Sequence, residues 1–215
     1  KGCKTLQELY EKCNSSHIKR ATVPMLFDPG KEANSEFRLI NNESADLVNI
    51  LNKWPINKNN TDLNPKKYHK KIVAWQNLIQ ENINNGVYKC GFSRNQNAYE
   101  KASDNLFSTL NIIEESLKSN GAFLCGKELT IADIRLFPTL IRWESVYASL
   151  FKCSNKPIQS FSNIIKWRKM MFNLYNIKAT CDAETWRKDY FGALFPLNPS
   201  HIIPKGESIS KLVNQ

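Results

Sequence analysis

The chain lacks long hydrophobic runs: none of its apolar stretches approaches the ~20 residues that a helix needs to cross a bilayer. It also lacks an internal repeat of short period, which argues against a repeat architecture. It begins at Lys1 without a charged and then apolar leader, and we expect this start to have been cut by processing or truncation. Its 215 residues, 41% of them hydrophobic, fit one or two globular domains with a buried core.

The sequence contains no Cys-x-x-Cys pair, and no group of Cys and His has the spacing of a zinc site. Its six cysteines are scattered, at positions 3, 13, 90, 125, 153 and 181. In a chain of this size, such usage is more typical of reduced thiols in a cytosol-like compartment than of a secreted disulfide framework. We therefore expect a cytoplasmic protein without a metal.

Acidic residues are the scarcer charge, because 20 Asp and Glu stand against 30 Lys and Arg, giving a formal net charge of +10. A nucleic acid or an anionic membrane surface is compatible with this excess. The basic residues are scattered, however, and the densest cluster, residues 66–71, lies where a helix is predicted to begin. We interpret it as a solvated helix face rather than a phosphate-binding track, and we expect neither a nucleic-acid nor a membrane partner.

The first 53 residues predict the order helix, strand, strand, helix. Residues 5–13 carry apolar side chains at helical spacing, and residues 21–27 form a short apolar run that Pro24 interrupts. After a predicted turn at Asp-Pro-Gly, residues 37–40 predict a second strand and residues 44–51 a second helix. This order is that of the second half of a thioredoxin-like domain, whose first half would be strand, helix, strand.

Residues 54–65 are polar and rich in Pro and Asn, and they predict an interdomain linker. Residues 66–215 predict an all-helical domain of about four to six helices. The segments with helical periodicity are residues 72–83, 98–117, 130–150 and 161–175, and the chain from Ala179 onward is predicted to be mostly irregular. The overall fold class is therefore α+β, and mostly α.

Thr130 and Asp133 have the spacing of a helix capping box, in which the Asp133 carboxylate reaches back to the Thr130 amide. This assigns a structural rather than a catalytic role to Asp133. The same helix carries apolar residues that we expect at the centre of the helical core: Ile134, Phe137, Leu140 and Ile141. Three tryptophans are assigned to the core or to an interface: Trp75, Trp143 and Trp167.

Val23, Pro24, Glu43 and Ser44 form a candidate binding site for a thiol peptide. A cis bond before Pro24 would turn the backbone N–H and C=O of Val23 outward, free to pair with a peptide ligand. At the start of a helix, Ser44 and the first-turn amides can hold a carboxylate, and Glu43 can hold the adjacent ammonium group. A γ-glutamyl amino acid presents both groups. The alternative is that Pro24 makes a bend and Ser44 only caps a helix.

The chain resembles the glutathione transferase superfamily and, within it, the Xi class, the glutathionyl-hydroquinone reductases. The segments that carry the resemblance are residues 22–28 (TVPMLFD), 41–44 (NNES), 84–92 (NNGVYKCGF), 132–137 (ADIRLF), 139–143 (TLIRW), 151–153 (FKC) and 198–199 (NP). Together they extend the resemblance over essentially the whole sequence. The first two are common to the superfamily, whereas the Tyr88 segment, the Phe-Lys-Cys segment and the closing Asn-Pro are specific to the class.

The resemblance implies that glutathionyl-hydroquinones are reduced at the expense of glutathione. An enzyme cysteine attacks the thioether sulfur and releases the hydroquinone, and a second glutathione then releases oxidised glutathione. In the family that cysteine lies in a Cys-Pro-Trp-Ala motif, which is absent from this sequence. Cys3 precedes what matches the family's second helix, and Cys90 and Cys153 belong to the helical domain, so none of the three takes its place.

The resemblance also implies that Tyr88 and Tyr190 lie on an aromatic-substrate pocket between two domains, where a tyrosine hydroxyl can donate to a phenolate or quinone oxygen. Tyr190 lies in Asp-Tyr-Phe-Gly, where the family usually has His-Tyr-Tyr, so the substrate preference is open. Tyr147 and Arg142 are further candidates. For Tyr88, the alternative is packing at a helix end.

Three hypotheses follow. The first is a glutathione-dependent transferase or reductase, with glutathione as co-substrate, a quinone-type aromatic substrate and a homodimeric assembly. The second is a non-catalytic binding or assembly module, which the net charge and the missing nucleophile favour and the class-specific Tyr88 segment argues against. The third is a homologue that has lost catalysis but still binds glutathione or an aromatic ligand.

Overall fold

The chain forms two compact units, residues 1–64 and residues 65–215, in a computed structural model that describes residues 2–13, 21–30, 37–54 and 61–214. The domain limits predicted from the sequence were residues 1–53 and 66–215, joined by a linker at residues 54–65. Of that linker, residues 55–60 lie outside the described residues.

The first unit has the predicted order of helix, strand, strand, helix. Its elements are α1 (Leu6–Lys12), β1 (Leu26–Asp28), β2 (Arg38–Asn41) and α2 (Ser44–Asn52). The two strands are antiparallel, with Leu26 opposite Asn41 and Asp28 opposite Arg38, and the register is irregular just after Leu26. The pairing therefore ends at Leu26 and Asn41, close to the predicted binding segments on both sides.

Side-chain hydrogen bonds and a glycine fix the ends of these elements. The Thr5 hydroxyl accepts from the N–H of Glu8 at 3.1 Å and caps α1. Beyond β1, Asp28 accepts from the N–H of Gly30 at 2.9 Å, and Gly30 has a φ of 69°, which a residue without Cβ adopts at no steric cost. The predicted turn at Asp-Pro-Gly therefore forms.

The second unit is built from helices. They are α3 (His69–Ile79), α4 (Gly86–Gly91), α5 (Gln96–Asn120), α6 (Ile131–Ile141), α7 (Ala148–Leu150), α8 (Ser162–Phe172), α9 (Ala183–Ala193) and α10 (Ile209–Asn214). Their apolar faces meet in one core whose fully buried side chains include Ile72, Ile79, Ile83, Leu106, Leu110, Ile113, Leu136, Leu140 and Ile164. Of the α6 residues predicted at its centre, Phe137, Leu140 and Ile141 are buried, whereas Ile134 is only partly buried and packs against the core from outside.

Two π-helical turns interrupt helices that the sequence predicts as continuous. Gln80–Asn84 lies between α3 and α4, and Trp143–Tyr147 lies between α6 and α7. The prediction of one helix over residues 130–150 is wrong in this detail, since α6 ends at Ile141. A π turn adds one residue to a turn of helix, which an average over apolar spacing does not resolve. Because of these interruptions and of α9, the described part of this unit has more helices than the four to six that the sequence predicts.

The helix α9 corrects the expectation of a mostly irregular chain after Ala179. Asp182 caps it by accepting from the N–H groups of Glu184 at 3.0 Å and Thr185 at 3.2 Å. Its buried face is formed by Ala183, Trp186, Arg187 and Phe191, which recur at helical spacing. The prolines that suggested an irregular chain all lie beyond its end, so they mark the tail and not this segment.

The predicted capping box at the start of α6 is present. The Asp133 carboxylate accepts from the N–H of Thr130 at 3.1 Å, the N–H of Leu124 at 3.0 Å and the indole N–H of Trp167 at 3.0 Å. Burial raises the pKa of Asp133, while these hydrogen bonds act in the opposite direction. The carboxylate thus joins the turn before α6 to α8, which is the structural role that the sequence indicated.

Candidate functional site

The predicted peptide-binding residues of the first unit lie at the ends of its two strands. The Val23–Pro24 peptide bond is cis, and the Val23 side chain is 76% exposed. Glu43 is the N-cap residue of α2, and Ser44 is the first residue of that helix. Since the first N–H groups of a helix have no partner within it, this end of α2 can hold an anionic group.

One buried side chain connects these two segments. The Tyr10 hydroxyl on α1 donates to the carbonyl of Thr22 at 2.7 Å, and it accepts from the side-chain amide of Asn42 at 3.3 Å. Thr22 directly precedes Val23, and Asn42 directly precedes Glu43. No pattern of residues predicts this connection, since Tyr10 is distinguished only by its place on a predicted helix.

In the second unit, three tyrosine hydroxyls meet although their residues are far apart in the sequence. Tyr88 lies on α4, Tyr147 ends the second π turn and Tyr190 lies on α9. The Tyr190 hydroxyl is 3.1 Å from the hydroxyl of Tyr88 and 3.1 Å from that of Tyr147. The structure therefore brings together the two predicted tyrosines and adds Tyr147, a further candidate from the sequence.

The three tyrosine rings pack around Phe151. The centroid of its ring lies 5.2 Å from that of Tyr88, 5.3 Å from that of Tyr147 and 6.0 Å from that of Tyr190. Phe151 is fully buried, and a Cβ added at Gly91 would come within 2.3 Å of its ring. The glycine therefore lets α4 approach this ring closely. We call these four aromatic residues the tyrosine cluster.

The environment of the tyrosine cluster keeps the hydroxyls of Tyr88 and Tyr147 protonated, because it raises the pKa of both. Burial, with the hydrogen bond to Tyr190, raises the pKa of Tyr88 to about 12. Burial and the neighbouring Tyr190 also raise the pKa of Tyr147. At neutral pH these groups are hydrogen-bond donors rather than phenolates, and a pKa this far from neutrality suits donation to a ligand oxygen better than complete proton transfer.

The three tyrosines of the cluster differ in solvent exposure, which increases from Tyr147 to Tyr88. Tyr147 is 4% exposed, Tyr190 is half-buried and Tyr88 is 38% exposed. Three hydroxyls carry three protons, and the two hydrogen bonds of 3.1 Å use two of them. When an oxygen of a ligand approaches Tyr88, the third proton can be donated to it.

Arg142, the other further candidate, makes its direct contacts elsewhere. Its guanidinium lies 4.6 Å from the ring centroid of Trp186, and it donates to the carbonyl of Pro138 at 2.7 Å. Its positive charge lowers the pKa of Tyr88, against the larger effect of burial. Arg142 therefore acts on the cluster through its charge.

All six cysteines lie in the described part of the chain as free thiols, and none occupies the first turn of a helix. Burial raises the pKa of Cys13, Cys125 and Cys181. The hydrogen bond between Cys90 and Cys153 raises the pKa of Cys153 and lowers that of Cys90, and both side chains are almost fully buried. These are not the properties of an accessible thiolate nucleophile.

Over the ranges that the structure describes, no group of three or more His, Cys, Asp and Glu side chains could hold a metal ion. Among the described helices, none is both long and apolar enough to span a membrane.

Comparison with known proteins identifies the family. Residues 96–169 match the family model of the glutathione S-transferase C-terminal domain. The chain is 33% identical over 207 residues to the glutathionyl-hydroquinone reductase PcpF of Sphingobium chlorophenolicum, covering 95% of this chain and 64% of that protein. It is 32% identical over 203 residues to the glutathionyl-hydroquinone reductase YqjG of Escherichia coli, covering 94% and 60%. The chain thus spans about 60–64% of the length of these curated relatives.

Solved structures of glutathione transferases are also similar to this chain. The crystal structure of glutathione transferase Xi 1 from Trametes versicolor has a TM-score of 0.86 and 33% identity, with 96% of this chain and 71% of that chain covered. The glutathione-bound structure of YqjG from Escherichia coli has a TM-score of 0.84 and 30% identity, with 94% and 64% covered. These comparisons confirm the predicted fold class, in which part of a thioredoxin-like domain precedes a helical domain. The chain belongs to the glutathione transferase superfamily, in its Xi class.

Proposed function

We propose that this chain supplies the glutathione-binding and phenol-binding parts of a glutathione-dependent reductase that converts glutathionyl-hydroquinones into hydroquinones. The observation that carries the proposal is the tyrosine cluster, which presents neutral hydroxyls beside aromatic rings. A hydroquinone has the complementary chemistry, an aromatic ring with two phenolic oxygens. The similarity to relatives named glutathionyl-hydroquinone reductases supports the same function.

In the proposed complex, the backbone of Val23 beside cis-Pro24 pairs with the peptide of glutathione in the manner of an added strand. Ser44 and the first-turn amides of α2 hold the γ-glutamyl carboxylate, and Glu43 holds its ammonium group. Tyr88 and Tyr190 donate to a phenolic oxygen of the aromatic group, with Tyr147 behind them.

The reaction needs a thiolate that attacks the glutathione sulfur of the substrate. The bond between that sulfur and the aromatic carbon breaks, a mixed disulfide forms, and the aromatic group takes up a proton and leaves as hydroquinone. The thiolate of a second glutathione then attacks the mixed disulfide, which releases oxidised glutathione and restores the enzyme thiol. Hydroxyl donors at the phenolic oxygen stabilise the negative charge that develops on the departing ring.

The binding half of this proposal can be tested on the chain itself by calorimetric titration with glutathione and with a hydroquinone. We expect both ligands to bind, and Tyr190→Phe to weaken hydroquinone binding about tenfold, since the bridging hydroxyl is lost. Glutathione affinity should not change. Tyr175→Phe is the matched control, because Tyr175 is 90% exposed. Flow-through from a glutathione column at low salt, or unchanged hydroquinone affinity in Tyr190→Phe, would contradict the proposal.

A second candidate function, a non-catalytic binding module, is favoured by the state of the six cysteines, none of which has the properties of an activated nucleophile. Incubation with a glutathionyl-hydroquinone and excess glutathione, of a protein in which a Cys-Pro-Trp-Ala segment precedes this chain, separates the two candidates. Release of hydroquinone and oxidised glutathione supports the reductase, whereas binding of both ligands without release supports the module. Homodimerisation stays a prediction, which sedimentation of the chain would check.

A further inference from the structure

We propose that Tyr10 is a positioning residue that couples the two halves of the glutathione site. The inference rests on the proposed function, since it assigns glutathione to the segments at Val23–Pro24 and Glu43–Ser44. Tyr10 is 1% exposed, compared with 7% for Cys13 and 7% for Leu47, the other buried apolar side chains among the described residues of the first unit. Tyr10 is therefore the least exposed of these three side chains.

The Tyr10 hydroxyl satisfies a backbone group of one segment and a side chain of the other. Its single proton is donated to the carbonyl of Thr22 at 2.7 Å, which leaves its lone pairs for the amide of Asn42 at 3.3 Å. Thr22 is covalently joined to Val23, and Asn42 to Glu43. A displacement of either neighbour is thus transmitted to the other through one oxygen atom.

This connection begins where the sheet stops. The last strand pair at this end is Leu26 with Asn41, and the register is irregular beside it. Thr22 and Asn42 lie beyond this pair, so the hydroxyl of Tyr10 continues the connection between the two chain segments where the strand ladder no longer does.

The turn after β2 is held by hydrogen bonds of the Asn41 side chain. The side chain of Asn41 accepts from the N–H of Glu43 at 2.6 Å and donates to Asp46 on α2 at 3.3 Å. Asn41 thereby fixes the turn to its own helix, whereas Asn42 fixes it to Tyr10. The side chains of the two adjacent asparagines have separate tasks, and of these two it is the side chain of Asn42 that connects the helix start to the cis-proline segment, through Tyr10.

The test is Tyr10→Phe in the full chain, which keeps the ring and removes the hydroxyl. We expect amide hydrogen exchange to become about tenfold faster at residues 22–26 and 41–44 together, with α5 unchanged. Glutathione should bind about tenfold more weakly, while hydroquinone binding at the tyrosine cluster stays as in the unmodified chain. Tyr175→Phe should alter none of these quantities.

Asn42→Ala provides a second variant, since its half-buried side chain can be shortened even if Tyr10→Phe does not fold. We expect the same two segments to exchange faster, and the double variant to lose less than the sum of the single losses. Unchanged exchange in either segment, or additive losses, would overturn the coupling. If the unmodified chain binds glutathione, equal affinity in Tyr10→Phe would overturn it too.

These outcomes separate this inference from the function on which it rests. If the unmodified chain does not bind glutathione but both segments exchange faster in Tyr10→Phe, the coupling stands and the proposed glutathione site fails. If glutathione binds but the segments respond independently, the site stands and the coupling fails.

Discussion

The two units of the chain hold their candidate binding residues in different ways. In the second unit, helices surround the tyrosine cluster with a large set of fully buried side chains. In the described part of the first unit, few apolar side chains are buried, and four large ones remain exposed: Val23 at 76%, Leu51 at 57%, Ile40 at 43% and Trp54 at 41%. A packed core fixes many atoms at once, whereas a thinly packed unit depends on single hydrogen bonds such as those of Tyr10.

This contrast implies that equivalent substitutions have unequal effects in the two units. In the second unit, removal of a buried group leaves a cavity or an unpaired donor, because the surrounding helices relax only partially. In the first unit, shortening an exposed apolar side chain changes little of the packing.

The largest effect is expected for Asp133→Ala. Four buried donors, the N–H and the hydroxyl of Thr130, the N–H of Leu124 and the indole N–H of Trp167, would lose their acceptor, and we expect a loss of about 3–5 kcal/mol in the free energy of unfolding. Urea denaturation followed by circular dichroism measures it. Asp104→Ala, at an exposed position of α5, is the matched control and should cost less than about 0.5 kcal/mol. Equal effects of the two substitutions would contradict the role of Asp133.

A matched pair of leucines tests the comparison of the units directly. Leu110 is fully buried in α5 and Leu51 is 57% exposed in α2. We expect Leu110→Ala to lower the free energy of unfolding by about 3 kcal/mol and Leu51→Ala to lower it by less than about 0.5 kcal/mol. The measurement is the same denaturation experiment. A large loss in Leu51→Ala would mean that the first unit is more tightly packed than its exposed surface indicates.

The smallest effect is expected at Tyr88, through pH. Folding raises its pKa from 10.0 to about 12, so the folded state holds this proton more tightly than the unfolded state. The corresponding stability is fully present below pH 10 and is lost as the pH rises through about 12. Unfolding measured across this window should show a decline that is smaller in Tyr88→Phe. Tyrosinate absorbance should lose a late transition in the same variant, and an identical titration would refute the shift.

Much of the fold could be predicted because its signals are local. The helix capped by Thr130, the turn at Asp28 and the long helix over residues 96–120 each follow from residues close together in the sequence. The helix α9 was missed because its buried face includes Arg187 and alternates with charged residues, which weakens the apolar periodicity.

The candidate site was less accessible from the sequence. Resemblance to the family pointed to Tyr88 and Tyr190, and their roles stay predictions, but 102 residues separate the two hydroxyls that meet. Neither propensity nor periodicity predicts such a long-range contact. The burial of Phe151 at the centre of the cluster, and the contact of Tyr10 with two segments, likewise depend on tertiary packing alone.

The two π turns have a consequence for how a change in chain length would affect the tyrosine cluster. One lies four residues before Tyr88, and the other ends at Tyr147. In a regular α-helix, an extra residue rotates the residues that follow by about 100°, whereas a π turn takes up the extra residue within one wide turn. Deletion of one residue from Gln80–Asn84 would therefore turn the π turn into an α turn and leave Tyr88 at its place in the cluster. The two π turns are thus places where this aromatic surface tolerates a change in chain length.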